Sequence, residues 1–201
     1  MGYIRGIDVA KWNGNINWGK VWMNGYSFAI LKITQKYNNL EPMFERNYLE
    51  ATKAGFKVGG YRYVYATNVA EAKAEAEAMV KILSGRQMPV GIWLDMEDET
   101  LAKLGQYRLW EIIATETKIL RKAGYAVGIY CNREWYLKIL NGKELAAEFP
   151  FWIARYPTID KGVIKESLNP KNLPGCTAWQ FSSKGKVSGI SGNVDLDVVY
   201  V

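Results

Sequence analysis

Eight short apolar or aromatic runs recur along this chain, and the way helical patterns separate them limits the folds open to it: "GIDVA", "SFAILKIT", "KVGGYRYVYA", "PVGIWLDM", "YAVGIYCN", "FPFWIARY", "CTAWQFSS" and "VDLDVVYV". Each is too short for an ordinary helix and suits a strand. Between the earlier runs the apolar period lengthens: Glu41 to Ala54, Val69 to Leu83 and Gly105 to Ala123 read as helices, with Leu109, Ile112, Ile113 and Leu120 on one face. Asn68 followed by Glu71 resembles a capping box, and Gly55, Gly85 and Gly124 stand where helices should stop. Strands alternating with helices predict a parallel sheet.

The alternation ends after Tyr156, because residues 157–175 carry three prolines, two glycines and no sustained helical period. Loops are therefore expected between the last strands. Eight strands with a parallel beginning predict an irregular α/β barrel of the TIM type, and the missing late helices account for its shortness at 201 residues. An open doubly wound sheet is the second possibility, but it would ordinarily need helices on both faces to its end, and no GxGxxG follows the first strand. With no low-complexity stretch or linker, residues 1–201 are expected to form a single domain.

The run "PVGIWLDMEDET" turns abruptly from a buried strand to Asp95, Glu97, Asp98 and Glu99. Side chains alternate along a strand, so Asp95 and Glu97 share a face and Met96 takes the other. Positions two apart are about 6.8 Å apart at the backbone, within range of paired-carboxylate chemistry once rotamers adjust. In a parallel barrel functional groups gather at the carboxyl ends of the strands. Asp8 lies in the first strand candidate and Asp195 and Asp197 in the last, and closure makes those strands neighbours. The acids are expected to meet across one mouth.

What the chain lacks narrows the chemistry further. It has no histidine, which removes Ser-His-Asp and Cys-His catalysis and HExxH chemistry, so an enzyme of this sequence must move protons with carboxylates. Cys131 and Cys176 form no CxxC pattern and read as structural thiols; no metal or other cofactor is expected. The net charge of +6 would suit an anionic partner, but the basic residues are scattered without a nucleic-acid motif, and "GKVSGISGN" lacks the spacing of a phosphate-binding loop. No nucleic-acid partner is expected. No run approaches the roughly 20 apolar residues that span a bilayer, and the amino terminus lacks a secretory apolar core, so neither membrane insertion nor a signal peptide is expected.

Tyr61, Tyr63, Tyr65, Tyr130, Trp152, Tyr156 and Trp179 lie in the strand candidates or at their ends. Tyrosine and tryptophan join an apolar ring to a polar tip, which suits sugar faces and hydroxyls in a cleft. Tyr61, Tyr63, Tyr130 and Trp152 are the stronger candidates for sugar contact, and any of the set can serve as core.

Taken in order, "GIDVAKWNGNINW", "FAILKIT", "GYRYVYA", "WLDMED", "GIYCN", "FWIARY", "AWQF" and "VDLD" resemble glycoside hydrolase family 25, the lysozymes (muramidases) of bacteria, fungi and phages, including many phage endolysins. The resemblance covers nearly the whole chain. It implies a barrel of five βα units followed by three strands without regular helices, and cleavage of the β-1,4 bond between N-acetylmuramic acid and N-acetylglucosamine. Peptidoglycan glycan strands would be the partner, the bacterial cell wall the place of action, and the chain a monomer. Carried over by motif, Glu97 matches the general acid and Asp95 its acidic partner, while Asp8 and Asp195 match two further acidic positions. Asp197 takes a place often held by Asn and is given no catalytic role.

The resemblance also implies retention of configuration, with Asp95 either attacking carbon or orienting the substrate's acetamido group. Glu97 would have to start protonated, its pKa raised by burial or by the charges of Asp95 and Asp8. One departure stands out: many relatives have His within the segment matching "YRY", where this chain has Arg62, which alternation points away from Tyr61 and Tyr63. Competing readings are a chitinase-like or N-acetylglucosaminidase activity and a catalytically inactive glycan-binding module. No wall-binding repeat follows Val201, as expected of a catalytic domain acting alone or cut from a longer polypeptide.

Overall fold

A computed structural model describes residues 2–201. Eight strands close into a barrel in sequence order: β1 (Tyr3–Val9), β2 (Phe28–Thr34), β3 (Lys57–Tyr63), β4 (Ile92–Asp95), β5 (Val127–Asn132), β6 (Phe151–Ala154), β7 (Cys176–Gly185) and β8 (Val194–Tyr200). Each contains or overlaps one of the apolar runs. Closure replaces the open sheet. Helices α1 (Trp18–Met23), α2 (Phe44–Lys53), α3 (Val69–Leu83) and α4 (Gln106–Lys122) follow the first four strands, and a π turn with short α5 (Gly142–Leu145) follows the fifth. Only a 3-10 turn at Glu166–Leu168 interrupts the connection from β6 to β7.

Strands β1 to β7 pair in parallel, whereas β8 runs antiparallel to both β7 and β1. The reversal follows from chain length. A parallel crossover needs a dozen or more residues, and only 186–193 separate β7 from β8. The start of β8 therefore lies at the same mouth as the ends of the other strands, and Asp195 pairs with Asp8. In an all-parallel barrel an acid so early in the eighth strand would have faced the opposite mouth.

Two apolar clusters follow from strand alternation. Ile92, Leu94 and Met96 pack outward with Ile112, Ile113 and Leu120 of α4, whereas Trp93 turns inward to join Phe28, Ile30, Tyr130, Trp152 and Ala178 inside the barrel. Gly128 makes room there, since a Cβ on it would stand 2.4 Å from the Trp93 ring. Helix α3 begins at Asn68, whose side chain accepts from the Glu71 N–H at 3.0 Å. Glu71 reaches back one residue further than an ordinary capping box, to the Thr67 N–H at 2.7 Å. Gly55 and Gly124, just past α2 and α4, have φ of 91° and 92°, left-handed values that a side chain would disfavour.

Arg62 points outward between β3, α3 and α4 and is wholly buried. Its Nε donates to Glu75 Oε2 at 2.9 Å, its Nη1 to Thr34 Oγ1 at 3.2 Å and its Nη2 to Asn38 Oδ1 at 3.1 Å, with Glu116 4.0 Å away. Burial raises the Glu116 pKa despite the guanidinium. The rise favours the neutral form of Glu116 beside the Arg62–Glu75 ion pair.

Candidate active site

One cavity of about 90 Å³ opens at the carboxyl mouth of the barrel, lined by Asp8, Tyr61, Asp95, Glu97, Tyr130, Trp152, Gln180 and Asp195. Asp8 is the penultimate residue of β1, Asp95 ends β4, Glu97 lies two positions beyond it, and Asp195 is second in β8. The four candidate acids thus come from three strands distant in sequence. Larger hollows, of about 580 and 410 Å³, lie beside α1 and α2 and at the opposite mouth, but neither gathers more than one carboxylate. Chemistry rather than size distinguishes the small cavity.

Tyr61, Tyr130 and Trp152 line the cavity together. The Trp152 ring centroid lies 4.4 Å from that of Tyr130 and 6.5 Å from that of Tyr61, and only 1% of Trp152 is exposed, so it forms the floor. Tyr63 stands apart from these three: it does not line the cavity, and its ring centroid lies 4.8 Å from that of Tyr65. Of the weaker aromatic candidates, Trp179 is buried in the outer core, its Nε1 donating to the Arg155 carbonyl at 3.0 Å.

Gln180, which the motif reading left without a role, ties the acids to the aromatics. Its Nε2 donates to Asp8 Oδ2 at 2.6 Å, and its Oε1 accepts from the Tyr130 hydroxyl at 2.7 Å and from the Tyr156 hydroxyl. The sequence did carry a signal: in "CTAWQFSS" the polar Gln180 alternates with Trp179 and Phe181, which marks it as pointing the other way. Asp197 is wholly buried, and its Oδ1 accepts from Trp152 Nε1 at 2.9 Å. It belongs to the support beneath the floor.

Burial and crowding of like charges raise the acids' pKa values. For Asp95 burial is the largest cause, followed by the Glu97 charge; for Asp8 burial leads, followed by Asp195. Burial also raises Glu97, and it lifts Asp195 to about 6 with help from Asp160. The Lys32 ammonium, in β2, opposes the rise at both Asp95 and Glu97. Gln180 restrains Asp8 by its hydrogen bond. The group can therefore keep a proton on a carboxyl near neutral pH, as donation to a leaving oxygen requires.

Among the described residues Asp95 Oδ1 is buried without a hydrogen-bond partner, and no group of three or more His, Cys, Asp or Glu side chains is arranged to hold a metal ion. Cys131 and Cys176 are free thiols, the first buried and the second partly so. Among the described residues no helix is long and apolar enough to cross a membrane.

Residues 7–190 match the family profile of the glycosyl hydrolases family 25. The chain belongs to that family. This family 25 chain is 31% identical over 204 residues to lysozyme M1 of Streptomyces globisporus, covering 96% of itself and 66% of that protein. It is 28% identical to the autolytic lysozyme of Clostridium acetobutylicum, where it covers 96% of itself and spans 55% of the relative's length. The crystal structure of a bacterial lysozyme from Streptomyces coelicolor superposes with a TM-score of 0.80 at 28% identity, covering 98% of this chain and 92% of that one. Membership makes this chain a glycoside hydrolase, built on five βα units and three strands without long helices.

Proposed function

We propose that this chain is a muramidase, hydrolysing the β-1,4 bond between N-acetylmuramic acid and N-acetylglucosamine in peptidoglycan at the bacterial cell wall. The observation that carries the reading is the convergence of Asp8, Asp95, Glu97 and Asp195 with Tyr61, Tyr130 and Trp152 around one cavity in a family 25 chain. The similarity to lysozyme M1 and to the autolytic lysozyme supports the substrate class.

In this mechanism Glu97 starts protonated and gives its proton to the leaving glycosidic oxygen. Burial favours that neutral form, while Lys32 keeps its pKa from rising further, so the same carboxylate can later take a proton from water. Asp95 accepts the N–H of the substrate's acetamido group and holds the acetamido oxygen against the anomeric carbon; its Oδ1, buried without a donor, fits that role. The acetamido oxygen closes on the carbon as the bond to the leaving oxygen breaks; water, giving a proton to Glu97, then enters from the face the leaving oxygen vacated and breaks the bond to the acetamido oxygen, with net retention. Asp8 and Asp195 supply negative potential to the oxocarbenium-like transition state. The tyrosines and Trp152 offer ring faces and hydroxyls to the sugars.

Digestion of purified peptidoglycan followed by borohydride reduction tests the bond assignment. New muramitol ends are expected. Glucosaminitol ends would move the cleavage to the neighbouring bond and favour the glucosaminidase reading, and no new ends would leave only a glycan-binding role.

A further inference from the structure

A second pocket opens at the same mouth, beside the acid cavity and opposite to it in charge. About 230 Å³ in volume, it is lined by Lys11, Trp12, Lys32, Gln35, Lys36, Glu41 and Tyr65. Lys11 and Trp12 follow β1, Lys32 belongs to β2, Gln35 and Lys36 follow β2, and Tyr65 follows β3. None of the three lysines makes an ion pair among the described residues; each instead lies over an aromatic ring. Lys11 Nζ is 4.8 Å from the Trp12 ring centroid, Lys36 Nζ is 5.5 Å from that of Tyr65, and Lys32 Nζ is 5.5 Å from that of Tyr61 in the acid cavity.

The pocket is built rather than incidental. Glu41, buried at its back, accepts the Lys11 N–H at 2.8 Å with one oxygen and Gln35 Nε2 at 3.1 Å with the other, which pins the loop after β1 to the loop after β2. Both Glu41 oxygens are thereby occupied, leaving the lysine ammonium groups without a carboxylate partner in the pocket. Next to it Tyr37 and Asn38 both have φ of 61°, two consecutive side-chain-bearing residues in the left-handed region. Such a conformation costs energy unless its surroundings hold it, and Arg62 does so through Asn38 Oδ1. The result displays Tyr37 with 82% of its surface exposed, its ring centroid 5.6 Å from Lys36 Nζ, while Trp12 in the pocket lining is 83% exposed. Exposed rings flanking unpaired ammonium groups form a shelf for an extended anionic ligand with some apolar surface.

We infer that this shelf binds the carboxylate-bearing peptide stem of the muramic residue held in the acid cavity. The inference rests on the muramidase reading. Each muramic residue carries at its lactyl group a short peptide with free carboxylates, so the stem is the anion that necessarily accompanies the bond being cut. Lys32 joins the two pockets, since it lines the shelf while its Nζ lies 5.5 Å from the Tyr61 ring of the acid cavity and its charge acts on Asp95 and Glu97. Lysine suits this ligand, because a mobile point charge meets carboxylates of variable position better than a fixed fork does.

The test compares glycan strands that bear stems, freed of phosphate-containing wall polymers, with the same strands stripped of stems by an amidase. kcat/KM for release of new reducing ends is measured on both with the parent chain, with Lys11→Ala/Lys36→Ala, and with Lys81→Ala/Lys122→Ala, which removes the same charge from exposed helix positions. The ratio of stem-bearing to stripped kcat/KM is expected to fall about five- to tenfold in the Lys11/Lys36 variant, to hold in the Lys81/Lys122 variant, and to fall in the parent as salt is raised. An unchanged ratio in the Lys11/Lys36 variant would overturn the inference while leaving the muramidase reading intact. An equal fall in both variants would reduce the effect to net charge and overturn it as well. Failure of the parent to release muramitol ends from either substrate would instead overturn the muramidase reading, and the inference with it.

Discussion

The side-chain amide of Gln180 donates to Asp8 Oδ2 over 2.6 Å although 172 positions separate the two residues. The bond joins β1 to β7 across β8 and passes the constraint on to Tyr130 and Tyr156, whose hydroxyls both donate to Gln180 Oε1. Gln180 thus positions an acid and two rings while leaving the reaction itself to others.

Gln180→Ala should lower kcat/KM by about 10- to 100-fold, the worth of a buried hydrogen bond to a charged group. Because that bond lowers the Asp8 pKa, its loss should raise the pKa further and move the acid limb of the pH–rate profile to higher pH. Steady-state rates between pH 4 and 8 check this, with circular dichroism to confirm the fold. A fall in rate with an unmoved acid limb would leave Gln180 a purely structural role.

The acids should also shape stability. Asp8, Asp95 and Asp197 are raised well above the ordinary carboxylate value and Asp195 to about 6, so the folded chain holds these protons more tightly than the unfolded chain. Their contribution is fully present below the unfolded value of about 3.9 and is lost as pH rises through the folded values. Asp98 and Asp160, whose pKa values are lowered by hydrogen bonds, act in the opposite sense and below that window. Tm should therefore decline as pH is raised from about 4 through neutrality, and Asp195→Asn should flatten the part of the decline near pH 6. A Tm that climbs over this range would contradict the assignment.

Arg62→Ala should destabilise the fold by about 3–5 kcal/mol, because it leaves Glu75 buried without its cation. Denaturant unfolding measures this. Replacing Arg62, Glu75 and Glu116 by apolar residues of similar volume should recover much of the loss. A change below about 1 kcal/mol for Arg62→Ala alone would mean that solvent reaches the cluster.

The elements and the acids were legible for different reasons. Val69–Leu83 could be bounded to the residue because the Asn68 cap and Gly85 bracket a periodic run. Helix α1 leaves no legible signal, since the six residues "WGKVWM" are too few to establish a period. Asp95 and Glu97 stood out because charge after an apolar strand is conspicuous. A parallel barrel alone would put Asp195 at the opposite mouth; the short connection at 186–193 reverses β8 and brings it to the acid cavity. Strand alternation correctly aimed Arg62 away from Tyr61 and Tyr63, but its partners Glu75, Glu116 and Asn38 come from three separate segments that no local pattern joins. Gln180 is the residue a local pattern could have found.

Asp95→Asn should cut kcat far more than it changes KM, because the proposed contact with the acetamido N–H strengthens as that group attacks. Rapid quenching should reveal no sugar attached to the enzyme. A glycosyl ester recovered on Asp95 by peptide mass analysis would establish direct attack and overturn the substrate-assisted route.

The central claim is that Glu97 delivers the proton that breaks the glycosidic bond. The most direct measurement is the initial rate at which new muramitol ends form from purified peptidoglycan, with the parent chain and with Glu97→Gln, alongside glycan binding by both. Turnover should fall by about 10²- to 10⁴-fold, the usual contribution of a positioned general acid, with binding retained. A Glu97→Gln variant that still releases muramitol ends within about tenfold of the parent rate, too small a loss for a general acid, would contradict the claim.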